Sequence, residues 1–197
     1  MKTIIKPGMW KILKLFYDNK NREIHLREIS RRIKLNESSV YLNLNSLVKN
    51  KIMIFKKEGN LKKFSINKRY IPKIFPIYDD EKLENLSLLR KNAILSYIEK
   101  NDKKPLLLIV FGSTAKGNYK DDSDIDILEV YTVKTDNKDL IKEVEQLTNM
   151  KIHNFQMTEK EFNKEFKLKE DKVIQAALET GFPVFNQKYY YGIKYNE

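Results

Sequence analysis

Met9, Ile12, Leu13 and Phe16 recur at helical spacing behind Pro7 and Gly8, and Asp18-Asn19 close the run. This predicts a first core helix with Trp10 against the same core. After a short segment carrying Ile24, residues 25–33 predict a second helix with Leu26, Ile29 and Ile33 inward, His25 being a capping or surface residue at its start. Lys34, Leu35 and Asn36 form the predicted turn, and Asn36 is a good N-cap. A third helix is predicted from Glu37 to Lys49, burying Val40, Leu44, Leu47 and Val48 and turning Ser38, Ser39, Tyr41, Asn43 and Asn45 outward. Two short strands, 52–55 and 61–66, are predicted to flank a Gly59-Asn60 turn.

The pattern changes at residues 69–78, where Pro72 and Pro76 disfavour a regular element and predict an extended linker. From Asp79 to Lys100 a helix is expected, with Asp79, Asp80 and Glu81 at its positive end and Leu83, Leu86, Leu89, Ala93, Ile94 and Ile98 as its stripe. Leu106 to Phe111 reads as a buried strand, closed by Gly112-Ser113, and the next strand carries Asp124 and Asp126. A helix over 138–149 with Leu140, Ile141, Val144 and Leu147 inward precedes a strand over 151–157. Thr158 caps a further helix, Asp171 to Thr180 form another that ends at Gly181, and Phe182 to Phe185 return extended. Tyr189, Tyr190 and Tyr191 either pack on the domain or a partner, or stack a base.

The 197 residues carry a net charge of +11, unevenly placed. Residues 1–73 hold 19 Lys and Arg against 5 Asp and Glu, whereas residues 74–197 hold 19 against 22. A basic N-terminal third suits a phosphate backbone, because each contact releases a condensed counterion. Cysteine is absent, which removes disulfides and thiolate metal sites. The longest apolar run is the six residues 106–111, far short of a membrane span, so a cytoplasmic protein with no membrane partner is expected. The expected division is a domain over 1–72, a linker and connecting helix over 73–101, and a second domain over 102–197.

Candidate chemistry concentrates at 105–130. A strand period of two puts Asp124 and Asp126 on one face and Ile125 and Ile127 on the other. Two adjacent carboxylates repel unless a cation lies between them, and a divalent ion is the usual answer. Gly112 lets backbone amides approach an anion, Ser113 can hydrogen-bond phosphate oxygens, and Lys116 adds a cation.

Two resemblances follow from these patterns. Residues 8–70, three helices and then a hairpin, resemble the winged helix-turn-helix transcriptional regulators. The resemblance implies that the third helix enters the major groove of double-stranded DNA through Ser38, Ser39, Tyr41, Asn43 and Asn45, while Lys56, Lys57, Lys62 and Lys63 lie along the phosphates. A homodimer reading two half-sites is expected. The run from Phe111 to Gly117, followed by Ser123 to Ile127, is similar to the minimal branch of the DNA polymerase β-type nucleotidyltransferases. By that resemblance Gly112 and Ser113 bind phosphate, and Asp124 and Asp126 are catalytic and ligate Mg²⁺ or Mn²⁺. A nucleoside triphosphate is then the substrate, the acceptor a protein hydroxyl, and a HEPN-type toxin a candidate partner.

The family's third carboxylate is missing from 151–157, where either His153 or Asn154 takes its place. Two readings therefore stand side by side: a Mg²⁺-dependent nucleotidyltransferase, and a transcriptional regulator whose inactive nucleotidyltransferase-like domain senses a nucleotide or mediates association. The expected fold is α/β (α+β): a winged helix-turn-helix, then a nucleotidyltransferase fold with a mixed sheet flanked by helices.

Overall fold

The computed structural model describes residues 5–195, which form two units meeting in sequence at Tyr78/Asp79. In the first unit, α1 (Pro7–Asp18), β1 (Ile24–His25), α2 (Leu26–Ile33), α3 (Glu37–Lys49), β2 (Met53–Glu58) and β3 (Leu61–Ile66) follow one another. The strands make an antiparallel sheet in the order β1-β3-β2. Three helices closed by a hairpin, with a short strand between the first two helices, are a winged helix-turn-helix. Asn36 caps α3 as expected, its side chain accepting the Ser39 amide at 2.7 Å. His25 occupies the N-cap position of α2, but its side chain makes no capping hydrogen bond. Ile12, Phe16, Ile29, Val40, Leu44, Met53 and Ile66 make the core.

The expected linker is helical. After a 3-10 turn at Lys68–Tyr70, α4 runs from Ile71 to Glu84. Pro72 lies in its first turn, where an amide hydrogen is not needed, so only Pro76 removes a helical bond. Ile71, Phe75 and Tyr78 bury one stripe of it, and tertiary burial of this kind overrides a single proline. Tyr78 packs 4.6 Å from Trp10 and donates to its carbonyl oxygen at 3.0 Å. Asp79, Asp80 and Glu81 consequently lie in the second half of a helix and not at the start of one.

The second unit continues with α5 (Leu88–Lys100), β4 (Leu107–Phe111), α6 (Gly112–Lys116), β5 (Ile125–Tyr131), α7 (Lys138–Thr148), β6 (Ile152–Thr158), α8 (Glu159–Leu168), α9 (Lys172–Thr180), β7 (Phe182–Phe185) and α10 (Gln187–Tyr195). The sheet order is β6-β5-β4-β7, with β5 and β6 parallel and the other pairs antiparallel. One face packs on α5 and α7: Ile125, Ile127, Leu108, Val110 and Ile152 meet Ala93, Ile94, Tyr97 and Val144. Leu89 and Leu147, expected in that core, are 59% and 61% exposed. Tyr190 and Tyr191 are buried within α10, so the tyrosine cluster packs. Among the described residues no helix is long and apolar enough to cross a membrane.

Candidate functional site

Asp126 is the second residue of β5 and Asp124 immediately precedes the strand. Strand pairing sets Phe111 of β4, Asp126 of β5 and His153 of β6 in one row across the sheet. Residues of one row share a face, and successive residues of a strand alternate. His153 is therefore on the face of the acids. Asn154 is on the other, where its amide donates to Glu129 at 2.8 Å and to the Tyr97 hydroxyl at 3.2 Å. Of the two residues that could replace the third acid, the structure selects His153.

The imidazole spans the pair, with Nε2 3.3 Å from Asp124 Oδ2 and Nδ1 3.7 Å from Asp126 Oδ1. Burial pushes the Asp126 carboxyl above the ordinary range; the Asp124 charge adds to this and His153 opposes it. Among the described residues no group of three or more His, Asp or Glu is disposed to hold a metal ion.

Gly112 closes this corner with φ +68°, and a Cβ on it would stand 2.1 Å from Asp126 Oδ2. The bare Cα lets the first turn of α6 and the acid occupy neighbouring space. Ser113 follows, half-buried, and Lys116 ends the helix exposed, with Gly117 at φ +71° closing it. Gly112, Ser113, Asp124, Asp126 and His153 thus lie at one end of the sheet.

Sequence reasoning missed Arg90. Its side chain is 1% exposed and donates to Thr114 Oγ1 of α6 and to the carbonyls of Lys120, Ser123 and Asp124. The signal was available: Arg90, Ala93, Ile94 and Tyr97 share one helical stripe that Leu89 does not join, so a charged residue occupies a core position.

In the first unit an open cleft of about 600 Å³ lies between α2, α3 and the hairpin. Tyr41 and Asn45 of α3, Lys62 of β3, and Arg27 and Arg31 of α2 line it. The two arginines were not among the expected contacts. Ser38 is exposed, but Asn43 is held elsewhere: its amide donates to Ser39 O at 2.8 Å and packs against Gly8 of α1. The hairpin lysines divide by strand alternation. Lys57 and Lys62 oppose each other on the face of buried Phe64, whereas Lys56 and Lys63 share the other face with Glu58. Lys56 pairs with Glu23 at 2.9 Å and Lys63 pairs with Glu58.

Residues 92–181 match the family model described as polymerase beta, nucleotidyltransferase. This segment is a nucleotidyltransferase domain. It spans most of α5 through α9, and so includes Gly112, Asp124, Asp126 and His153. No curated protein matches the chain. Among solved structures, a toxin-antitoxin with AMP-PNP is 18% identical, over 53% of this chain and 82% of that one, with a TM-score of 0.37. A toxin-antitoxin MntA-HpeT mutant is 17% identical over the same shares with the same TM-score. Staphylococcus aureus MarR in complex with salicylate and kanamycin is 19% identical over 49% of this chain and 70% of that one, with a TM-score of 0.36.

Proposed function

We propose that the chain is a DNA-binding protein whose nucleotidyltransferase domain moves a nucleotide from a nucleoside triphosphate to an acceptor hydroxyl. The observation that carries this reading is the close approach of Gly112 to Asp126 beside Asp124, which leaves two carboxylates and the start of α6 around one open corner. These residues fit a divalent ion. Mg²⁺ is commonly held by one or two carboxylates plus substrate phosphates and not by a full protein cage, so two acids suffice without a third protein ligand. Asp124 and Asp126 would hold it, and it would neutralise charge on the triphosphate.

Gly112 and Ser113 would orient phosphate oxygens, with Lys116 screening their charge. The acceptor oxygen would form a bond to the α-phosphorus as the bond to the bridging oxygen breaks. Pyrophosphate leaves and the hydroxyl proton passes to solvent. A protein hydroxyl, including one on a HEPN-type toxin, is the acceptor class the family resemblance supports, and a winged helix in the same chain suits a factor that represses its own operon as a dimer.

One observation favours a second reading, in which the domain binds a nucleotide without turnover. The position facing Asp126 is His153, which supplies no carboxylate and already contacts both acids. Incubation with α-labelled nucleoside triphosphates and Mg²⁺ or Mn²⁺, using the chain alone and with candidate acceptors, separates the readings. Label transfer abolished in Asp124→Asn and Asp126→Asn supports the enzyme. Nucleotide binding without any transfer leaves the sensor.

A further inference from the structure

Arg90 is a charge in a place where charge is costly, and its partners show what that cost secures. Its guanidinium is buried beneath the loop joining α6 to β5. Nη1 donates to Thr114 Oγ1 at 2.9 Å and to Asp124 O at 3.4 Å, and Nη2 donates to Lys120 O at 2.8 Å and to Ser123 O at 2.6 Å. All four acceptors are uncharged oxygens, so the cation is solvated by three backbone carbonyls and a hydroxyl in place of an ion pair. Tyr119, from the same loop, covers the guanidinium at 4.1 Å, and its hydroxyl accepts the Ser87 amide at 3.1 Å. The loop is therefore tied to α5 twice, once through Arg90 and once through Tyr119. Arg90 also ties Thr114, in the helix that starts at Gly112, to the carbonyl of Asp124.

Only a planar fork with fixed donor directions satisfies oxygens on three sides of one buried point. A lysine ammonium at the same depth keeps the charge but not the directions. We propose that Arg90 is a positioning residue that sets Asp124, and through Thr114 the start of α6, at the spacing a metal-bound phosphate needs. This rests on the reading of Asp124 and Asp126 as the acids of a nucleotidyltransferase site. Residues that orient ligands in this way alter metal affinity about 10- to 100-fold when changed.

The test compares full-length wild type with Arg90→Lys by hydrogen exchange of residues 117–124 and by Mn²⁺ binding followed by electron paramagnetic resonance. The expected result is faster exchange confined to that loop and Mn²⁺ affinity reduced about tenfold or more, with β4 and β5 as protected as in wild type. Exchange and affinity both within about twofold of wild type overturn the proposal, as does loss of protection throughout the second unit, which makes Arg90 an ordinary core residue. If Arg90→Lys does not fold, Tyr119→Leu, which removes only the stack and the bond to Ser87, is read in the same way. Wild type that binds no Mn²⁺ either alone or with a nucleoside triphosphate removes the functional reading, and the exchange comparison still decides whether Arg90 holds the loop.

Discussion

Asp126 and His153 face each other on the parallel strands β5 and β6, and the imidazole reaches across to Asp124 as well. The position best placed to add a third acid to the pair thus carries a group of opposite tendency. His153→Asp should make the metal-free domain less stable, because three carboxylates crowd one corner, and should make Mg²⁺ more stabilising. A further unit charge near a divalent ion is worth on the order of 1–4 kcal/mol at protein-surface dielectrics, so Mg²⁺ affinity should rise about tenfold or more. Thermal unfolding in chelator and in saturating Mg²⁺ checks this. An unchanged difference between the two conditions would mean that residue 153 does not face the ion.

Gly112 and Gly117 give a matched pair. Both have positive φ, but a Cβ would meet Asp126 Oδ2 at 2.1 Å from the first and nothing within 4 Å from the second. Alanine at either should cost about 1–2 kcal/mol of backbone strain. Only Gly112→Ala should also displace Asp126 and lose nucleotide binding. Unfolding curves and nucleotide titrations of the two variants check the separation, and equal losses of binding would show that the loop as a whole, and not the close approach, matters.

The parts of the fold legible in the sequence are those where apolar period and punctuation agree. Asn36 as a cap, the strand ending at Phe111, and Asp124 beside Asp126 needed nothing beyond the chain. Pro72 and Pro76 misled because a proline's local preference says nothing about the tertiary burial of Ile71, Phe75 and Tyr78. Leu89 and Arg90 show where hydrophobicity alone misleads: the arginine holds the helical position that faces the core, and three carbonyls of the loop above together with the Thr114 hydroxyl of α6 accept its hydrogen bonds. His153 could not be told from Asn154 without strand register, since a shift of one residue exchanges the faces.

Glu129 is wholly buried on the sheet face opposite the acids. It accepts from Asn101, Tyr131, Asn137, Asn154 and Gln156, and thereby ties α5, α7 and β6 to β5. Burial pushes the Tyr131 phenol up to about 12, with the Glu129 charge contributing. Glu129→Gln keeps the shape but sets an amide among donors. It should lower stability by about 1–3 kcal/mol, the cost of leaving buried polar groups unsatisfied. Urea unfolding of the full chain measures it; a variant as stable as wild type would show that the donors find other acceptors.

The hairpin lysines give the last prediction, because strand alternation divides them into two classes. Lys57 and Lys62 are register partners on one face, and Lys62 also lines the cleft that Tyr41 and Asn45 enter. Lys56 and Lys63 lie on the other face, each engaged with a glutamate. If the cleft receives a DNA backbone, Lys57→Gln and Lys62→Gln should each weaken binding and reduce the salt dependence of log K by about one. Lys56→Gln and Lys63→Gln should leave the slope unchanged. Fluorescence anisotropy with a labelled duplex over a series of salt concentrations distinguishes the classes. Equal effects from all four would mean that the hairpin attracts DNA as a diffuse charge, without one face of it being the contact.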